Sequence, residues 1–305
     1  MPRILRPPPR ALPQATAPTL RHRIDPEPLM GWHGHLQLDY RRAASRTVLQ
    51  DRHDGPLRVL QSLYPEGPGV CHNVLVHPPG GLVGGDTLAL DATLASHTHA
   101  LVTTAGATRF YRSLGPAATQ TVRAKVEGDA RLEWLPLETI AFNGCNAESA
   151  LRFDLDRGAE MIGWDVLALG LPASEQPFER GTYRQSIELP GRWLERGVID
   201  AADRRLLDSP LGFAGRRTLG VLWFAAGDAL ADARRELLLE AARELAAAHP
   251  LARTAGVTAV QPEVVAMRVL APAVEPAIAL MTAVWQAWRR AAWSISSTVP
   301  RVWRT

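Results

Sequence analysis

The sequence predicts a mainly β protein: short strands stacked on one another, as a solenoid-like coil or a sandwich, followed by two C-terminal helices. Three observations predict this. Apolar and polar residues alternate in many short segments through about residue 226. Glycine- and proline-rich turns separate those segments. A helical period appears only near the C-terminus.

The elements follow in order. Residues 1 to 28 hold Pro2, Pro7, Pro8, Pro9, Pro13, Pro18, Pro26 and Pro28, which reads as a disordered, polyproline-like tail. Trp32, Leu36, Leu38 and Tyr40 then share one face of a half-buried strand, with His33, His35, Gln37 and Asp39 on the other. The same alternation recurs over Thr87–Leu94, Thr119–Glu127, Leu151–Asp156 and Thr182–Leu189. Val70–Val76, His99–Thr104, Arg131–Leu135, Met161–Leu169 and Leu219–Ala225 are further strand-like runs. No sequence repeat of fixed period accompanies them, so the familiar repeat families are not indicated. Asp228 can cap a helix over about 228–248, with Leu230, Ala233, Leu237, Leu238, Ala241 and Leu245 as its apolar stripe. A second helix spans about 275–293 from near Pro276, with Ile278, Met281, Val284, Trp285, Trp288 and Ala292 on its broad apolar face. Strands Gly256–Val260 and Val264–Leu270 lie between the two. No linker divides residues 29–305, which read as one domain.

Composition narrows the function. An apolar content of 46% over 305 residues can fill a sizeable core. The formal charge is only +3, and the basic residues are dispersed arginines, with Lys125 the one lysine; no concentrated stripe suggests nucleic acid. Cys71 and Cys145 form neither a CxxC motif nor a disulfide framework. No apolar run reaches the roughly 18 to 20 residues a membrane span needs, and no apolar h-region follows the N-terminal arginines. These features read as a cytoplasmic protein that spans no membrane.

The densest information lies in His77–Ser113. Pro78-Pro79-Gly80-Gly81 and Gly84-Gly85-Asp86 force turns ahead of one strand, and Ala105-Gly106-Ala107 precedes the string Thr108-Arg109-Phe110-Tyr111-Arg112-Ser113. No catalytic motif follows. The glycines lack the lysine and helix of a P-loop, and neither GxSxG nor HExxH occurs. Seven of the nine histidines fall at 33, 35, 53, 72, 77, 97 and 99, beside Cys71, which leaves open a β-rich metal-binding enzyme using a His33–His99 cluster. Asp86 and Glu195 are either surface carboxylates or groups lining a polar channel for a cation. Trp285, Trp288, Arg289, Arg301 and Trp303 are either core or partner-surface residues, which leaves open a pure protein-docking scaffold.

Five blocks in order resemble one family: CHNVLVHPPGGLVGGD at 71–86, TTAGATRFYRS at 103–113, LEWLPLETIAF at 132–142, WDVLALGLPA at 164–173, and the terminal PRVWRT. They are similar to the urease accessory protein family UreD, also called UreH. The family usually has proline, lysine, glutamine and arginine where this chain has Ala105, Arg109, Leu137 and Leu171.

The resemblance implies a β-rich, non-catalytic assembly factor with two C-terminal helices. It implies that the chain binds apo-urease, recruits UreF and, through it, UreG, and passes nickel along an internal polar tunnel as cargo, with no permanently bound cofactor. It leaves open a dimer of such heterocomplexes. Asp86, Thr108, Arg109 and Glu195 match as tunnel residues; Cys71, His77 and His99 fall on family-typical positions as metal contacts. Transfer sets a physical limit. With association near about 10⁸ M⁻¹s⁻¹, a micromolar site releases its ion about 100 times per second, a picomolar one about once in 10⁴ seconds. Weak oxygen ligands therefore suit a conduit better than a His/Cys cage.

Overall fold

The computed structural model describes residues 31–304, so the proline-rich tail assigned to residues 1–28 lies outside the described residues. Three strands lead in: β1 (His33–Ala43), β2 (Arg46–Asp54) and β3 (Arg58–Leu63). The body comprises β4 (Val70–Val76), β5 (Thr87–Leu94), β6 (His99–Thr104), β7 (Thr108–Phe110), β8 (Ala118–Val126), β9 (Arg131–Trp134), β10 (Thr139–Ala141), β11 (Cys145–Leu155), β12 (Glu160–Leu171), β13 (Gln176–Pro177), β14 (Gly181–Leu189) and β15 (Trp193–Asp200). Then come α1 (Arg204–Asp208), β16 (Thr218–Ala226), α2 (Asp232–Ala247), β17 (Ala255–Gln261), β18 (Val264–Ala271) and α3 (Val274–Trp293).

The body winds as a flattened coil. The chain alternates between two sheets, and each strand lies parallel to its predecessor in the same sheet. Val70 pairs with His99, His99 with Arg131 and Arg131 with Glu160, so one turn of the coil takes roughly 30 residues. In the facing sheet Leu88 pairs with Gln120, Gln120 with Ser149 and Ser149 with Gln185. Turn lengths differ from coil to coil, which is why the stacking leaves no fixed period in the sequence. Antiparallel hairpins finish the first sheet, β2 on β1 at one side and β15 on β14 at the other. Past β12, strands β16, β18 and β17 extend the second sheet antiparallel.

This arrangement has three layers and two cores. Leu36, Leu88, Val122, Leu151, Phe153 and Trp223 fill the space between the sheets. Leu101, Trp164, Phe224, Trp285 and Trp288 fill the space between the second sheet and the helices. β12 faces both, so its residues are apolar almost throughout (EMIGWDVLALGL), and no alternation survives there.

Several expectations need correction. Asp228 does not cap α2: its carboxylate accepts the Gly158 amide at 2.8 Å and pairs with Arg157, and α2 starts after Ala231 with no side-chain cap. The buried face of α2 is Leu238, Leu239, Ala242 and Ala246, rotated from the anticipated stripe, and Leu237 is exposed. In an alanine-rich helix the competing faces differ little in hydrophobicity, so the tertiary contact decides. A short helix, α1, precedes the two anticipated ones; Asp203 caps it by accepting the Leu206 amide. Five residues are too few to show a period.

Candidate functional site, a polar seam between the sheets

The glycine-rich turns fix the entrance to the region between the sheets. Gly80 and Gly85 adopt φ values of +77° and +91°, which glycine tolerates without penalty. Gly81 packs so tightly on the neighbouring turn that a Cβ there would lie 2.9 Å from the Arg109 carbonyl oxygen. Asp86 closes this structure. Its carboxylate, in a residue 2% exposed, accepts the Val83 amide at 2.8 Å and the Trp32 amide at 3.2 Å. It thereby ties its own turn to the start of β1.

Behind the turns lies a cavity of about 340 Å³, whose walls include His77, Gly80, Thr108, Arg109, Gln120 and Asp165. The strand registers explain its polarity. Residues paired across a sheet point to the same face. Gln120, Ser149 and Gln185 therefore form a row on the inner face of the first sheet. On the opposing sheet, Thr108 pairs with Thr139 and Thr139 with Leu167, which places Asp165, two residues away on β12, on the same inner face. Asp165 and Gln185 hydrogen-bond across the gap. Asp165 then leads through Val221 to Arg268, which reaches Glu195 of the other sheet with contacts of 3.1 and 2.5 Å. Polar groups thus run from His77 and Arg109 at the cavity mouth to Asp165 and Gln185 inside an otherwise apolar core; beyond Asp165 the row crosses the buried Val221 before it reaches the Arg268–Glu195 pair.

Burial shapes the electrostatics of the seam. Desolvation pushes the Asp165 carboxyl up to about 6, against the opposing pull of the Gln185 side chain and the Val166 amide. Burial, then the neighbouring Asp165, pushes the Tyr183 phenol well above its ordinary value. Burial lowers the His77 imidazole, partly offset by the charge of Asp86. His77 Nε2 and Trp134 Nε1 are buried and lack a hydrogen-bond partner among the described residues, and both residues line the cavity. The rest of the wall is largely apolar, with Leu57, Leu75, Leu88, Leu90, Val122 and Leu151, so these two orphan groups are the points in it that call for water.

The chain's relationships bear on what this seam does. The family model described as "UreD urease accessory protein" matches residues 33–304. The chain belongs to the UreD urease accessory protein family. It is 60% identical over 278 residues to the urease accessory protein UreD of Leptothrix cholodnii, covering 90% of this chain and all of that protein. It is 60% identical over 276 residues to that of Variovorax paradoxus, with 90% and 100% coverage. The corresponding protein of Albidiferax ferrireducens is 58% identical over 274 residues, covering 90% and 99%.

Against this family background, the structure sorts the residues singled out in the sequence. Thr108 lies on the cavity wall, and Arg109 stands at the exposed mouth. Asp86 is a buried anchor of the mouth, absent from the cavity wall, and Glu195 is held by Arg268 at the far end. Cys71, His77 and His99 are not brought together. Cys71 faces the core between the sheets, His77 sits at the mouth, and His99 faces the helices, bonded to Glu133 at 2.6 Å. The His33–His99 cluster disperses likewise: His33 and His35 bond Thr87 and Asp91 on the outer face of the first sheet, while His72 meets Glu66 beneath α3. Among the described residues no group of three or more His, Cys, Asp or Glu is placed to hold a metal ion.

The tryptophan set also resolves. Trp285, Trp288 and Arg289 are fully buried, so they build the core under α3 and present no docking surface. Trp303 packs against Trp164 in a tilted and Trp285 in an edge-on arrangement, with ring centres 5.0 and 5.5 Å apart, and its indole donates to Thr103 at 2.8 Å. Arg301 alone of the set is exposed. Asp165 and Gln185 escaped the sequence reading. The available signal was a lone carboxylate inside an apolar run, Trp164-Asp165-Val166, which must be partnered or functional.

No helix among the described residues is long and apolar enough to cross a membrane.

Proposed function

We propose that this chain is a non-catalytic cytoplasmic factor that assembles the urease metallocentre. It binds apo-urease, recruits UreF and through it UreG, and lets nickel pass along the seam between its sheets. Nickel is cargo, and the chain turns over no substrate. The observation that carries the reading is the buried Asp165 in the wall of the cavity between the sheets, bonded to Gln185 of the facing sheet, inside a member of the UreD family. A carboxylate held only by the Gln185 side chain and the Val166 amide offers a moving divalent ion one oxygen ligand, which binds weakly and releases quickly.

Family membership favours this reading over the metal-binding enzyme, as does the wide separation of the histidines among the described residues. The test is the Asp165→Asn variant, co-expressed with urease and its accessory proteins. It keeps side-chain volume and a hydrogen-bonding group while removing the charge. Urease that co-purifies normally but contains several-fold less nickel by elemental analysis supports the passage. Wild-type nickel content with the complex intact refutes it.

A further inference from the structure

We propose that the turn edge of the coil carrying Leu211 is the face that seats a urease subunit, through an apolar socket edged with carboxylates. This rests on the urease-assembly reading above and adds where contact is made and by what chemistry.

Leu211 is 100% exposed. A lone exposed leucine on a mobile loop would need no explanation, but this loop is fastened from within. The amides of Gly212 and Ala214 donate to the Ser209 carbonyl at 2.9 and 3.0 Å, Phe213 to Leu206 at 2.7 Å and Gly215 to Leu207 at 2.9 Å. The Leu211 amide donates to Ser209 Oγ at 3.2 Å. Phe213 and Leu206 pack on the core between the sheets. Leu211 is thus a rigid apolar knob, whose ordering cost on binding is already met by the fold.

The surroundings state what fits over it. The Ala201 amide bonds Gly181 at 3.0 Å and the Leu169 amide bonds Arg217 at 2.8 Å, so the loop lies where β12 ends and β14 begins. The cavity mouth lies on the same edge, where β4 and β6 end and β5 begins. Two other exposed apolar side chains, Leu114 (80%) and Val83 (46%), lie on this edge beside the mouth. The acidic groups near Leu211 are occupied: Asp203 caps α1, and Asp208 pairs with Arg204 and Arg217. Arg205 and Arg216 are exposed and make no ion pair among the described residues. Arg204, Arg205, Arg216 and Arg217 outnumber Asp200, Asp203 and Asp208 here by one, so the edge offers apolar knobs beside a small positive excess at Arg205 and Arg216, which carboxylates around a socket would complement.

The experiment titrates the full chain against nickel-free urease, for wild type, Leu211→Asp, and the Arg205→Glu/Arg216→Glu double variant. Each variant's melting temperature is checked against wild type, from which full exposure predicts no change. Leu211→Asp is expected to weaken binding by roughly 10- to 100-fold. The charge reversal should slow association and weaken its salt dependence. If both variants bind urease as wild type does, the assigned face is wrong while the assembly reading stands. If wild type itself does not bind, the assembly reading falls and this inference with it.

Discussion

Replacing Glu66 with alanine tests how the C-terminal segment is held across the helical layer. Glu66 accepts from both terminal nitrogens of Arg289 at 2.7 Å, from the Thr298 amide at 2.5 Å and from His72 Nε2 at 3.2 Å. Arg289 is fully buried, with its Nε 3.2 Å from the equally buried Glu133. Breaking a buried ion pair outright costs about 3–5 kcal/mol. Here Glu133 keeps part of the compensation, so the charge effect falls to about 2–3 kcal/mol, and the orphaned Thr298 amide adds about 1 kcal/mol. A total of about 3–4 kcal/mol corresponds to a fall in melting temperature of about 10 °C for a domain of this size.

The pH dependence has a definite sign. Burial pushes the Glu66 carboxyl up, but the hydrogen bonds from Arg289, His72 and the Thr298 amide outweigh it and hold it well below the usual carboxylate range. A depressed carboxyl contributes its stability above the unfolded value, about 4.3, and loses it as pH falls below that. The gap between wild type and Glu66→Ala should therefore be constant from neutral pH to about pH 5 and narrow in stronger acid. Chemical denaturation across pH measures the gap, and hydrogen exchange of residues 295–304 reports release of the segment. A melting shift under about 2 °C, or unchanged protection of those amides, would show that the segment is held by its apolar contacts alone.

Three further outcomes follow. Asp165→Asn should stabilise the protein above pH 6, by up to about 3 kcal/mol, because a carboxyl raised to about 6 contributes most when protonated and loses that contribution as pH rises from about 4 to 6; thermal melts at pH 5 and 8 check this. Asp86→Ala should cost about 2–4 kcal/mol in denaturant titrations, since it orphans the Val83 and Trp32 amides together. Trp303→Ala should cost about 3 kcal/mol through lost packing against Trp164 and Trp285 and the lost Thr103 bond, with a matching change in tryptophan fluorescence.

How much of this was legible depended on how many faces each element buries. β5 has one buried face, and its alternation over Thr87–Leu94 matches the observed strand end to end. β2 and β15 are largely exposed edge strands, so nothing in Arg46–Asp54 or Trp193–Asp200 marked them as strands. The parallel winding was beyond reach because the register depends on turns of unequal length. Thr108 and Arg109, singled out by the family blocks, lie on the cavity wall, because glycine turns fix the backbone locally. The same blocks could not separate a carboxylate that holds a turn, Asp86, from one that faces the cavity, Asp165. That distinction lies in the hydrogen-bond partners: two backbone amides from the turn and β1 for the first, the Gln185 side chain across the gap with the neighbouring Val166 amide and a raised pKa for the second.

The difference between those two carboxylates separates structure from function in this fold. Asp86 satisfies the rule for buried charge: its partners are fixed backbone donors, and its removal weakens the protein. Asp165 violates the rule. Its burial raises its pKa and lowers stability at neutral pH, and an asparagine would occupy the same space at less cost. The buried Arg289, paired with Glu66 and Glu133, shows that this fold can neutralise a charge where structure alone requires it. Among the described residues Asp165 has no cationic partner, which is the arrangement that the proposed passage of a cation would require. A permanently paired carboxylate would have to break its own salt bridge each time an ion arrived.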